Sequence, residues 1–192
     1  MKHKSAKPVD RRVQRTRDLL RNALIAQLQE RGWDVISVQH ICDHANVGRS
    51  TFYTHFNSKD ALLAGGFDDL RKMIRAQLLM HVNEEKPFAL LRGLIDHAYE
   101  NQRLFRALIG RRSGQVVVRK FRELVMDLMY EDAFSGSSST PADNDARVHF
   151  ISGAFMQLLT WWLESRNNLS PEEFERLFVQ LASSAIKTKL SK

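Results

Sequence analysis

The sequence predicts an all-α fold, with an N-terminal three-helix head carried on a helical body of about six helices. Three observations lead there. Apolar residues recur at helical spacing along most of the chain. Strong helix-start signals stand before several of these stripes, as in Ser170-Pro171-Glu172-Glu173. The stretch Ser37 to Lys59 reads as two short helices joined by a tight turn and followed at once by a third.

The first helix is expected from about Asp10 to Arg31, with Val13, Leu20, Leu24 and Leu28 on one face and Gly32 ending it. Residues 1–9 are polar and carry Lys2, Lys4 and Lys7, so they are expected to form a disordered arm. Arg11, Arg12, Arg15, Arg17 and Arg21 cluster at the front of the helix against Asp10 and Asp18. They read either as a solvated face or as a phosphate-contacting arm. Trp33, Val35 and Ile36 form a short link expected to pack under the head.

Ser37 is a good N-cap, and Val38, Ile41, Cys42 and Ala45 follow at helical spacing. Asn46 can end that helix because it enters the left-handed conformation easily. Val47 can plug the corner, and Gly48 or Arg49 restarts a helix with Phe52 and Phe56 on one face. Arg49, Ser50, Tyr53 and Thr54 fall elsewhere and are expected to point outward. A helix, a turn and a helix with a polar outer face form the helix-turn-helix unit, whose second helix fits the major groove of DNA.

Ser58 caps a long helix from Lys59 to about Val82, striped by Leu63, Phe67, Leu70, Ile74 and Leu78. Gly65-Gly66 inside it reads either as close packing or as a hinge between head and body. Asn83 to Lys86 is a turn, and Pro87 suits the first position of a helical stretch to about residue 109, with a break near Asn101. A turn at residues 111–114 precedes a helix from about Gln115 to Tyr130. Glu131 to Asn144 is Ser/Gly/Pro-rich and is expected to be a loop within the body. From Asp145 to Ser165 apolar residues cover nearly the whole circumference, which predicts one face on the core and another on a second subunit. The last helix starts at Ser170 as a capping box and carries Phe174, Leu177, Phe178, Leu181 and Ala182.

The net charge of +7 and a pI of about 9.8 point to a polyanionic partner, either nucleic acid or a membrane surface. No stretch reaches the roughly 20 apolar residues of a membrane span. The basic N-terminus is not followed by an apolar run, so a signal peptide is not expected. The single cysteine, Cys42, excludes an internal disulfide and suits a reducing cytosol, and its slot beside the turn calls for a small structural residue more than a redox group. A glycine-rich phosphate loop and a Gly-x-Ser-x-Gly elbow are both missing. His40 and His44 have metal-ligand spacing, but no Glu of the zinc-protease pattern lies between them. They read better as solvent- or phosphate-facing, so neither a metal nor another cofactor is expected, nor an enzyme.

Ile41-Cys42, Ala45-Asn46-Val47, Thr51-Phe52-Tyr53-Thr54-His55-Phe56 and Ser58-Lys59-Asp60-Ala61-Leu62-Leu63 resemble the DNA-binding signature of TetR/AcrR-type transcriptional regulators. The likeness spans roughly residues 15–65. Asn46 stands where that family usually has Gly, and Gly48 where it usually has Ser. The segment around Gly153, Trp161-Trp162-Leu163 and Ser170-Pro171-Glu172 also resembles a C-terminal domain of one branch of those regulators.

The resemblance implies a DNA-binding domain at 1–57 and a regulatory and dimerisation domain at 58–192. It implies a homodimer reading a pseudo-palindromic operator in double-stranded DNA, most often as a repressor released by a small molecule. A ligand-independent DNA binder or an activator on the same fold is the alternative. Arg49 suits base reading, because its guanidinium can bond guanine O6 and N7 together. Ser50, Thr51 and Tyr53 could reach bases or phosphates, and Ser37, His55 and Lys59 phosphates. Phe67, Leu70, Ile74, Phe105, Phe121 and Trp161 are candidates for a pocket taking a small apolar or aromatic ligand, with ordinary core as the competing reading. Gly153, Leu158, Trp162, Phe174, Phe178 and Leu181 are the candidate dimer face.

Overall fold

The computed structural model describes residues 8–80, 88–109, 114–133, 140–165 and 168–187. Most of the expected N-terminal arm, the turns at 83–87 and 111–113 and the centre of the Ser-rich loop lie outside them. Among the described residues the chain forms nine α-helices, one 3-10 turn and no strand. The head is α1 (Pro8–Glu30), the 3-10 turn Trp33–Val35, α2 (Val38–Ala45) and α3 (Arg49–His55). The body is α4 (Lys59–Met80), α5 (Ala89–Glu100), α6 (Gln102–Ile109), α7 (Gly114–Ala133), α8 (Pro141–Glu164) and α9 (Pro171–Lys187).

Local chemistry sets the boundaries. Ser58 Oγ accepts from Ala61 N at 3.1 Å, which caps α4. Ser170 and Glu173 form the expected capping box, with Ser170 N donating to Glu173 Oε2 at 2.8 Å and Glu173 N to Ser170 Oγ at 3.2 Å. Asn101 ends α5 and donates from Nδ2 to His97 O at 2.9 Å, so the expected break falls there. Both ends of the expected loop differ: α7 runs on to Ala133, three residues past Tyr130, and α8 starts at Pro141, four residues before Asp145. Thr140 caps it by accepting from Asp143 N, and proline is pre-set for the first helical position, so Pro141 to Asn144 belong to the helix instead of the loop.

Two apolar clusters hold the molecule. The head cluster joins Leu20, Ala23, Leu24 and Leu28 of α1 to Trp33, Ile36, Ile41, Cys42, Phe52 and Phe56. It also takes in Leu62 and Leu63 of α4, Leu108 of α6 and Val117 of α7, so head and body share a continuous seam. Two expected members fall outside it: Val13 is 38% and Val35 62% exposed. The 3-10 turn points Trp33 and Ile36 inward and Val35 outward.

The body cluster is aromatic. Phe105 meets Phe121 edge-to-face at 5.4 Å, Phe155 meets Phe178 at 5.1 Å, and Trp162 stacks on Phe174 at 4.5 Å. Arg92 of α5 braces α9 by donating to Glu175 Oε2 at 2.7 Å and to Glu172, and it also holds Asp96 at 2.8 Å. Helix α4 is tied to α1 by Arg21–Asp69 and to α7 by Arg71–Asp127 and Arg75–Glu131. It runs unbroken through Gly65-Gly66, so the pair is not a kink here.

Candidate nucleic-acid interface

The reading unit is set by one turn. Asn46 adopts φ 51° and ψ 47°, the left-handed conformation, and its N–H bonds back to the carbonyls of Asp43 and Cys42. Val47 N donates to Cys42 O at 3.0 Å, and Gly48 then enters α3 in extended conformation with its carbonyl accepting from Phe52 N at 3.0 Å. Asn tolerates this geometry because its short polar side chain lowers the steric cost that other residues meet there. Gly48 offers no side-chain cap, and a Cβ at that position would meet only the Ser50 and Thr51 hydroxyl oxygens, at 3.8 and 4.0 Å.

Phe52 and Phe56 anchor α3 from below, at 0% and 5% exposure. The opposite face presents Arg49, Ser50, Thr51 and Tyr53, all exposed. Arg49 has no hydrogen-bond or ion-pair partner among the described residues, so its five donors are free for an incoming acceptor. Tyr53 is 47% exposed and rests edge-on against Phe52 at 5.3 Å, which holds its ring while leaving its hydroxyl outward. His55 is half-buried at the end of the helix.

Ser37 is exposed at the start of α2. Its Oγ accepts from His40 N at 3.2 Å, and its own N–H donates to His40 Nδ1 at 3.3 Å. His40 thus completes the capping box in the place usually held by Glu or Gln. His44 Nδ1 lies 3.4 Å from Gln27 Nε2, so the two histidines are engaged with different elements. Gln39, also exposed on α2, donates to Asp43 Oδ1 at 2.6 Å. Burial pushes the Cys42 thiol up, with the Asp43 carboxylate adding to it and Arg49 opposing, which keeps the sulfur protonated and unreactive.

Lys59 needs correction as a phosphate contact. Its Nζ donates to the carbonyls of Trp33 and Ile36, both at 2.8 Å, and sits 4.5 Å from the centre of the Trp33 ring. Trp33 O already accepts from Ile36 N at 3.2 Å within the 3-10 turn, and the Lys59 ammonium adds a second bond there and one to Ile36 O. The basic front of α1 also divides. Arg11, Arg12 and Arg15 are exposed, but Arg17 lies over the Phe56 ring at 5.2 Å and Arg21 is tied to Asp18 and Asp69.

The expected pocket and dimer faces also rearrange. Ile74, Phe105 and Phe121 are sealed in the core at 1% exposure or less, and Trp161 stands outside it at 44%. Of the six, Phe67 and Leu70 line a half-open cleft between head and body. Trp162, Phe174 and Phe178 are buried inside the protomer, with Trp162 stacked on Phe174 and Phe178 edge-on to Phe155, so they do not form an outer face for a second subunit. Leu158 is half-buried, and Gly153 and Leu181 are exposed. Phe150 and Trp161, at 67% and 44% exposure, are the aromatic residues α8 actually presents outward. Sequence periodicity could not separate them, because a helix apolar all round gives no phase.

Residues 20–65 match the model of bacterial regulatory proteins of the tetR family, and residues 85–184 match the TetR_C_8 model of a transcriptional regulator C-terminal region. The chain belongs to the TetR family. A TetR regulator from Streptococcus agalactiae 2603V is 28% identical, covers 90% of this chain and 96% of its own, and superposes with a TM-score of 0.67. A putative TetR-family regulator from Syntrophomonas wolfei shares the fold at a TM-score of 0.69 with 16% identity, over 92% of this chain and 97% of its own. An uncharacterized HTH-type regulator of Bacillus subtilis, YxbF, is 26% identical over 91% of this chain. This TetR-family chain spans only 46% of that relative's length. No helix among its described residues is long and apolar enough to cross a membrane.

Proposed function

We propose that this TetR-family chain is a sequence-specific DNA-binding transcriptional regulator. It acts as a homodimer on a pseudo-palindromic operator, as a repressor released by a small apolar ligand, in the cytoplasm and without enzymatic chemistry. The observation that carries the reading is the polar outer face of α3, with Arg49 unpaired above a helix anchored by Phe52 and Phe56. Among the described residues Arg49 has no internal ion pair that would have to be broken before it meets DNA. Arg49 reads base edges, Ser50, Thr51 and Tyr53 reach bases or phosphates, and Ser37 and His55 contact the backbone of the duplex. Arg11, Arg12 and Arg15 supply sequence-independent phosphate attraction.

The dimer face proposed here runs along Phe150, Gly153, Trp161 and Leu181. Exposed aromatics on an otherwise polar surface are enriched at such contacts. Gly153 has nothing within 4 Å of where a Cβ would stand, so a partner helix can approach closely there.

Selection of bound duplexes from a random pool tests the reading. Recovery of an inverted repeat supports it. A flat profile with strong salt dependence would replace it with a non-selective DNA binder on the same fold.

A further inference from the structure

Between Ser37 and Lys59 the chain carries a single acidic residue, Asp43. It stands exposed on α2, within the unit of the head that meets DNA. A carboxylate there repels phosphate, so it lowers affinity for any duplex. Its side-chain partner among the described residues is Gln39, which donates from Nε2 to Oδ1 at 2.6 Å.

Helical geometry places this pair outward. Gln39 and Asp43 are four residues apart and both exposed, on the face of α2 turned away from buried Ile41. The turn into α3 begins at their end of the helix. Asp43 O accepts from Asn46 N at 3.3 Å, and Cys42 O accepts from Val47 N at 3.0 Å. Asp43 and Arg49 act with opposite sign on the same Cys42 thiol, so the Gln39–Asp43 strip runs up to the start of the reading helix.

The bond also settles how the amide is turned. A carboxylate only accepts hydrogen bonds, so the NH2 end of Gln39 lies against Asp43. Its Oε1 and second N–H have no partner among the described residues. An acceptor and a donor on one amide plane match the N6–H donor and N7 acceptor that adenine shows in the major groove. Arg49, with donors alone, matches guanine instead. A Gln–Asp bond at this spacing also steadies an isolated helix. Helix α2 already has the Ser37 capping box, however, and a neutral acceptor would serve that end without repelling DNA.

We propose that Gln39 is a second base-reading residue of the head, selecting adenine, and that Asp43 is the positioning residue that holds its amide. This rests on the DNA-binding reading above and adds a base contact from α2 to those of α3.

The test is duplex selection from a random pool by the full chain and by Gln39→Ala, Asp43→Ala and the double variant. Wild type should recover an inverted repeat with one A·T pair per half-site that Gln39→Ala no longer selects, distinct from the pair that Arg49→Ala relaxes. Discrimination at that pair should fall by about five- to 100-fold. Asp43→Ala should relax the same pair while binding unselected duplex more tightly, because a negative charge near the phosphates is gone. The double variant should discriminate no worse than Gln39→Ala. Thermal melting checks folding, and if Gln39→Ala does not fold, Gln39→Met, which keeps the length without the amide, decides. An unchanged profile for the Gln39 variant, or a loss equal for every sequence, would overturn the base-reading role. An Asp43→Ala profile like that of wild type would overturn the positioning role. A flat wild-type profile would remove the regulator reading itself, whereas a selective wild type with an unaffected Gln39 variant removes this proposal alone.

Discussion

Lys59 Nζ lies 2.8 Å from the carbonyl oxygen of Trp33 and 4.5 Å from the centre of its ring, so one ammonium ties the start of α4 to the link under the head. With the second bond to Ile36 O, this lysine fixes how the long helix leaves the reading unit. Lys59→Ala should lower head stability by about 1–3 kcal/mol, since two hydrogen bonds from a charged donor are lost. Its salt dependence of DNA binding should stay that of wild type. Thermal melting and the slope of log affinity against log salt measure the two effects. A reduced slope with unchanged melting would return Lys59 to the phosphate contacts.

Arg49 has the opposite character. Its removal takes away no hydrogen bond or ion pair among the described residues, so Arg49→Ala should melt like wild type. Discrimination at one base pair of each half-site should fall by about 1–3 kcal/mol, the worth of a bidentate arginine–guanine pair. Competition between matched and single-mismatch duplexes checks this. Loss of affinity that is equal for every sequence would place Arg49 on the backbone of the DNA.

His97 gives the fold a pH dependence. Burial holds its pKa below the ordinary 6.5, and Glu100 opposes that shift without cancelling it. The ring packs edge-on to Phe105 at 5.7 Å, and the neutral form is the one the fold accommodates. The unfolded chain therefore binds a proton more readily than the folded one. Stability is fully present above about pH 6.5 and declines as pH falls through the folded pKa. His97→Gln should flatten the difference in denaturation midpoint between neutral and mildly acidic buffer. An unchanged difference would assign the pH dependence to other groups.

Trp161 and Trp162 are adjacent yet belong to different surfaces. Trp162 stacks on Phe174 and donates from Nε1 to Leu169 O at 3.0 Å, so Trp162→Ala should destabilise the protomer by about 3–5 kcal/mol. Trp161→Glu should leave the fold intact and shift the chain toward monomer, most clearly when combined with Leu181→Glu. Light scattering on a sizing column reads the mass. A double variant that remains dimeric would move the interface off this face.

Much of the head was legible in the sequence because its signals are local. The Ser37 and Ser58 caps, the Asn46 turn and the Phe52/Phe56 pair each depend on residues within a few positions of one another. Those same signals place Arg49, Ser50, Tyr53 and Thr54 outward, and all four are exposed. Lys59 was misjudged because its partners, the carbonyls of Trp33 and Ile36, are 26 and 23 residues away in the chain. A basic residue beside a DNA-reading helix looks the same in sequence whether it faces water or a backbone oxygen.

The sequence by itself determined the helical fold, the helix boundaries that carry caps, and the position of the reading helix. All three follow from backbone hydrogen-bond satisfaction and from which side chains avoid water at a 3.6-residue repeat. Only the tertiary structure decided which apolar face meets which neighbour. It sent Trp162, Phe174 and Phe178 inward and Trp161 outward. Burial around a helix with no polar side depends on where the other helices lie, and that is a property of long-range packing that no local pattern encodes.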